Sequence, residues 1–198
     1  MNDFLTAMEQ RRSIYAIEKR SPIPDSRIEE LIRRAVRHTP SAFNMQSSRA
    51  MLLLGREHDR FWRIVVEAVR AAAPADAFAA AEEKLRTFAA GYGTVLYFDD
   101  TAVTGRFAEQ YALYRENFPV WAQQANGMLQ FAVWTLLEQE GLGATLQHYN
   151  PLVDEEVRRT WELPSSWKLA AQMPFGTPAA QPEPKEFADI DKLFLVRR

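Results

Sequence analysis

The chain has no cysteine among its 198 residues, which removes disulfides, thiol catalysis and thiolate metal ligation together. Histidine is almost as scarce. His38, His58 and His148 have no second histidine or carboxylate at the helical spacing of a metal site. His58, between Glu57 and Asp59, reads as solvated, and His38 as a helix cap. Neither sign of charge dominates, since the formal net charge is −2; no global field favours nucleic acid or an anionic membrane. The basic run Arg33, Arg34 and Arg37 shares its segment with Glu29 and Glu30 and reads as a solvated helix face. No apolar run approaches a membrane span, and Met1-Asn2-Asp3 lacks a basic-then-apolar leader pattern. The expected location is a reducing cytoplasm.

Phosphate loops of the usual kinds are missing too. Gly141-x-Gly143 has Leu146 where a dinucleotide fingerprint has its third glycine, and it follows a helix, so it reads as a helix stop. There is no Walker-type Gly-Lys-Ser/Thr and no Gly-x-Ser-x-Gly elbow. Built-in ATP or Rossmann domains and serine hydrolases are therefore not expected.

What remains is an ordinary apolar fraction, 47%, enough for one domain over 1–198 with a real core. Leu5 and Met8 mark a first helix closed by Arg11-Arg12, whose charges suit its C-terminal dipole. Ser26-Arg27-Ile28-Glu29 reads as a capping box, followed by Ile28, Leu31, Ile32, Ala35 and Val36 at helical spacing. Ala50 to Leu54 reads as a strand covered on both faces. Phe61 to Val69 and about Ala75 to Ala90 predict two helices, and Thr94 to Phe98 a second buried strand. Phe118 to Glu140 predicts a long helix too apolar for an exposed face, either central to the fold or packed on another subunit. Asn150-Pro151 reads as a cap and first turn of a further helix. Lys168 to Met173 and Leu193 to Val196 predict two more strands, with Pro178 to Pro184 as an ordered loop or linker. Helices outnumber strands and separate them, so the expected class is α+β or α/β around a small sheet.

Two polar clusters follow helix ends. Arg11-Arg12-Ser13 offers fork-shaped cations and a hydroxyl, which suit phosphate. Ser41-Ala42-Phe43-Asn44-Met45-Gln46 offers carboxamides, which suit the edge of a heterocycle. Each is equally readable as a cap or a polar loop; together they point to a phosphorylated planar cofactor. A helical interaction module without cofactor keeps both as caps.

In order along the chain, Arg11-Arg12-Ser13-Ile14-Tyr15, Pro40-Ser41-x-x-Asn44-x-Gln46, Gly91-Tyr92-Gly93-Thr94-Val95-Leu96 and Leu146-Gln147-His148-Tyr149-Asn150-Pro151 resemble the FMN-dependent nitroreductase family. The likeness is nearest its compact, fatty-acid-repression-mutant-like branch. It implies a three-layer α/β/α sandwich around a small mixed sheet and a homodimer with FMN at the subunit interface. Arg11, Arg12 and Ser13 should hold the FMN phosphate, joined late in the chain by Lys185. Asn44 and Gln46 should reach the flavin or ribityl edge, with Ser41 nearby. The peptide groups of Gln147, His148 and Tyr149 should flank the isoalloxazine, and Lys84 should meet the ribityl chain or pyrimidine. Tyr15 stands among the cofactor positions where many relatives carry a basic residue, and Ser47-Ser48 stands where many carry Pro and an aromatic. The implied activity is NAD(P)H-dependent, ping-pong reduction of a small nitroaromatic or quinone-type acceptor, with Phe43, Phe118 and Trp121 as stacking candidates. The flavin carries the hydride, so no catalytic side chain is expected. A flavin-binding regulatory or storage protein is the alternative.

Overall fold

The computed structural model describes residues 4–198. Its centre follows from two strands whose side chains alternate between apolar layers. Along β3 (Gly93–Asp100), Val95 and Tyr97 enter one core while Leu96 and Phe98 enter the other. Along β5 (Trp167–Pro178), Ala171, Met173 and Phe175 join the first and Leu169 the second. The first core is closed by α2 (Asp25–His38) and α6 (Phe118–Gln139) through Ile28, Ile32, Leu129, Val133 and Leu137. The second is closed by α3 (Arg56–Ala72), α4 (Ala75–Ala89) and α7 (Asp154–Thr160) through Phe61, Trp62, Val65, Leu85, Phe88 and Val157. Helices thus cover both sheet faces, the layering the resemblance implied.

The sheet order is β1-β5-β3-β2, where β1 is Ile17–Glu18 and β2 is Ser48–Leu54, and β4 (Gly143–Ala144) also pairs with β5. These ladders are antiparallel; the parallel component is an isolated bridge, Ser13 to Ala144. A short α1 (Phe4–Gln10) precedes β1, a 3-10 turn at Ala42–Asn44 precedes β2, and α5 (Thr101–Gln110) with a 3-10 turn at Ala112–Tyr114 precedes α6. A final turn of helix, α8, spans Ile190–Leu193. Among the described residues no helix is long and apolar enough to cross a membrane.

Several expectations need correction. The capping box does not form: α2 begins at Asp25 with Pro24 as N-cap and no side-chain cap bond, because extended Pro24 already sets the chain's entry. β2 has helices against both faces, as read, yet it is an edge strand with one lateral edge unpaired and is mostly half-buried. The helix after Asn150-Pro151 starts only at Asp154, preceded by Val153. Leu193 to Val196 pairs with no strand among the described residues; Leu193 ends α8 and the residues after it are exposed. Gly141 does stop α6 as read, in the left-handed region at φ 80°.

His58 is also corrected. It is fully buried, with Nδ1 2.9 Å from Thr94 Oγ1 and Nε2 3.1 Å from the Ala89 carbonyl. A carbonyl only accepts, so Nε2 carries the proton and Nδ1 accepts from Thr94, whose oxygen in turn accepts from Trp62 Nε1 at 2.9 Å. The neighbouring carboxylates had masked a position that turns inward between α3 and β3.

Candidate functional site

Where α1 ends, Arg11 N–H still bonds the Ala7 carbonyl at 3.0 Å, and the chain then runs extended beside β4. Ile14 N–H donates to the Ala144 carbonyl at 2.9 Å, which holds Ser13 against the sheet. This stretch forms one wall of a cleft of about 640 Å³. The other wall is the segment from Ala180 to Lys185, returning from the far end of the chain. Arg11, Arg12, Ser13, Tyr15 and Lys185 therefore share one hollow. Arg12 fastens the walls together, donating to the Glu183 carbonyl at 2.5 Å. Lys84 lies beside this wall, its Nζ 5.7 Å from the Tyr15 ring centroid.

Arg11 is held from behind. Its guanidinium lies 4.3 Å from the centroid of the Trp134 ring, on α6. One turn further, Glu138 Oε2 is buried without a hydrogen-bond partner, as is Trp134 Nε1. Burial, then the Arg12 charge, pushes Arg11 below its usual pKa, and Glu138 partly opposes this. Burial raises the Glu138 carboxyl, with Arg11 pulling the other way. The cleft is therefore cationic, and a buried donor and a buried acceptor without partners lie behind Arg11.

The second cluster lies elsewhere. Ser41 and Gln46 line a recess of about 140 Å³ with Arg37 and Arg49. Ser41 Oγ accepts from the Gln46 N–H at 2.9 Å, and Asn44 and Gln46 are exposed. Phe43, Asn44 and Gln46 all adopt left-handed backbone, φ 53°, 51° and 51°. Asn tolerates that region, but Phe and Gln do so at a cost of about 1–3 kcal/mol each. The turn is held by an aromatic cluster in which Phe43 meets Tyr111 at 4.6 Å, Phe118 at 5.4 Å and Trp121 at 6.0 Å between centroids. Phe118 is fully buried and so is removed from the stacking candidates, whereas Phe43 is 47% exposed. Arg11 meets α6 at Trp134 and Phe43 meets it at Trp121, about 20 Å apart along the helix. Within one chain the two clusters face different hollows.

Between them runs the loop after β4. The Gln147 side chain is buried and turned inward, donating to Thr145 Oγ1 at 3.2 Å. Its backbone exchanges bonds with Gln172. Gln172, fully buried in β5, also accepts the Tyr149 N–H on Oε1 at 2.7 Å and donates to Asn150 Oδ1 at 3.2 Å. Tyr149 packs edge-on against Trp62, and burial pushes its phenol up to about 12. Among the described residues His148 N–H has no partner within the chain. Sequence reading missed Gln172; a lone carboxamide inside the apolar run Leu169 to Phe175 was the available signal. It missed Trp134 and the Glu183 carbonyl as well, which only the folded chain brings to the cleft.

The arrangement can bind a phosphate between two distant segments and offer a peptide edge nearby, and it presents no acid–base–nucleophile set. Among known proteins, the family model described as the nitroreductase family matches residues 8–177. Nitroreductase FRM2 of Saccharomyces cerevisiae is 33% identical over 187 residues, 93% of this chain and 93% of that one. Nitroreductase CinD from Lactococcus lactis, solved in complex with chloramphenicol, superposes with a TM-score of 0.91 at 43% identity, covering 99% of this chain and all of that one. A protein from Desulfovibrio desulfuricans solved in complex with FMN shares the fold, with a TM-score of 0.71 at 21% identity, over all of this chain and 98% of that one.

Proposed function

The chain belongs to the nitroreductase family, and from that premise we propose that it is an FMN-dependent oxidoreductase using NAD(P)H to reduce nitroaromatic or quinone-type acceptors by a ping-pong route. The observation that carries this reading is the convergence of Arg11, Arg12, Ser13 and Lys185 on one cleft. Three cations and a hydroxyl more than offset the charge of a phosphate monoester and offer several donors to its oxygens.

Arg11 and Lys185 would grip the phosphate from opposite ends of the chain, with Ser13 donating between them. The unspent His148 N–H would donate to the ring edge, and Gln172 holds the loop that carries it. Bound FMN supplies a ring that accepts and returns a hydride, which accounts for a site without a nucleophile. Reductant and acceptor use the same open space in turn.

A homodimer would account for the second cluster. Ser41 and Gln46 line a separate recess against Ala125 and Leu129 of α6 rather than this cleft, and a second copy would bring them to it. Apolar surface also awaits cover: a groove between α2 and the β2 edge lined by Ile32, Val36, Leu52 and Leu54, and a C-terminal segment in which Leu193, Phe194 and Leu195 are exposed. The acceptor class draws support from the complex of CinD with chloramphenicol, a nitroaryl compound.

Titration with FMN tests the reading. The protein should turn yellow, and NAD(P)H should bleach it anaerobically until a nitroaromatic or quinone restores the colour. A protein colourless in excess FMN refutes it. A yellow protein that NAD(P)H cannot bleach would be a flavin carrier instead.

A further inference from the structure

A groove unused by that reading, with polar side chains set in a largely apolar lining, runs between α5, α6 and the start of β5. Its volume is about 510 Å³, within the range of small-molecule sites. Gln123, Asn126 and Gln130 recur at helical spacing along its α6 wall, which runs about 16 Å from Pro119 to Gln130. Carboxamides both donate and accept, as the edge of a nucleobase does. Asn126 is a fixed spacer: its Nδ2 donates to the Phe98 carbonyl at 2.9 Å, and its Oδ1 accepts from Gln130 Nε2 at 2.7 Å. Gln130 Oε1 is left for a ligand. The facing wall presents Gly105, with open space where a side chain would stand.

Asp99 and Lys168 form the floor. They are direct cross-strand partners in the β3–β5 ladder, opposite charges on one sheet face. Among the described residues neither forms an ion pair with the other. Thr104 Oγ1 donates to the Asp99 carboxylate at 3.1 and 3.3 Å, which leaves that carboxylate further lone pairs. At one end Asn150 contributes a free Nδ2, immediately after the 147–149 loop.

We infer that this groove takes the ADP-ribose half of the reductant, and that the protein prefers NADH to NADPH. The inference rests on the flavin reading above. A dinucleotide whose reacting ring stacks beside residues 147–149 must extend away from that loop, and Asn150 joins loop to groove. The carboxamides meet adenine, Lys168 meets the pyrophosphate, and the Asp99 carboxylate accepts from ribose hydroxyls, as acidic residues do in other dinucleotide sites. A 2′-phosphate would face that carboxylate, with Lys168 the only cation lining the groove among the described residues.

Calorimetric titration of the FMN-loaded protein with ADP-ribose should show binding, weakened at least about tenfold by Gln130→Leu and by Lys168→Met. Lys168 is exposed, so its replacement leaves the core intact. In steady state, kcat/KM for NADH should exceed that for reduced nicotinamide mononucleotide by about tenfold or more, and Gln130→Leu should bring the ratio toward unity. Asp99→Asn should narrow the preference for NADH over NADPH. Absence of ADP-ribose binding at millimolar concentration, or equal kcat/KM for the dinucleotide and the mononucleotide, overturns the groove assignment and leaves the flavin reading standing. Failure of both NADH and NADPH to bleach bound flavin overturns both readings.

Discussion

Replacing Arg11 with Met removes one charge from the cleft and keeps an apolar stem against Trp134. The guanidinium sits 4.3 Å from that ring and shares its hollow with Lys185. A charge-assisted bond to phosphate contributes about 2 kcal/mol. The stacking on Trp134, about 1 kcal/mol, is lost with and without ligand and largely cancels from the binding difference. About 2 kcal/mol corresponds to an FMN Kd raised about 30-fold. Riboflavin has no phosphate, so its Kd should move less than about threefold. Quenching of flavin fluorescence on titration with apoprotein reads both constants, and raising salt should narrow the gap between wild type and variant. Equal weakening of the two flavins, or no weakening of either, would refute the phosphate role of Arg11.

Gln172→Leu strips the bonds to Tyr149 and Asn150; it should cost about 1–3 kcal/mol in urea melts and weaken flavin binding. Gly143→Ala would place a Cβ 2.8 Å from Ile14 Cγ2, pushing back the wall that carries Ser13, and should lower flavin affinity in the same titration. Burial holds His58 below its ordinary pKa of 6.5. The fold therefore favours the neutral ring, so its contribution is complete above pH 6.5 and is lost as pH falls below that value. Unfolding free energies from urea melts taken between pH 8 and 5 should decline there by up to about 1.4 kcal/mol per pH unit, a slope that His58→Asn should reduce. Sedimentation at micromolar concentration should give a dimer; a monomer would contradict the two-copy site.

The helices most legible in the sequence were those whose apolar spacing matched one buried face, as in Ile28, Leu31 and Ile32 of α2. Capping was legible only in part. Gly141 stopped α6 because its backbone had to turn left-handed, whereas Ser26 lost the N-cap position to the neighbouring prolines. α5 went unread because its ten residues show no strong apolar stripe and only Thr104 is buried. Lys185 was linked to Arg11 by family resemblance, since nothing local in either segment points to the other.

The order of residues alone determined that β3 and β5 are buried strands and that α6 is long and apolar, because periodicity and apolar runs are properties of neighbours in the chain; the layering with helices on both sheet faces was implied by the family resemblance. Tertiary structure alone decided that β2 lies at an edge, that His58 is an interior residue and that Gln172 clamps the loop beside the cleft. It also decided that the two polar clusters meet α6 at Trp134 and Trp121 and open into separate hollows. Those outcomes depend on contacts between segments tens to hundreds of residues apart, whose energies no local pattern records.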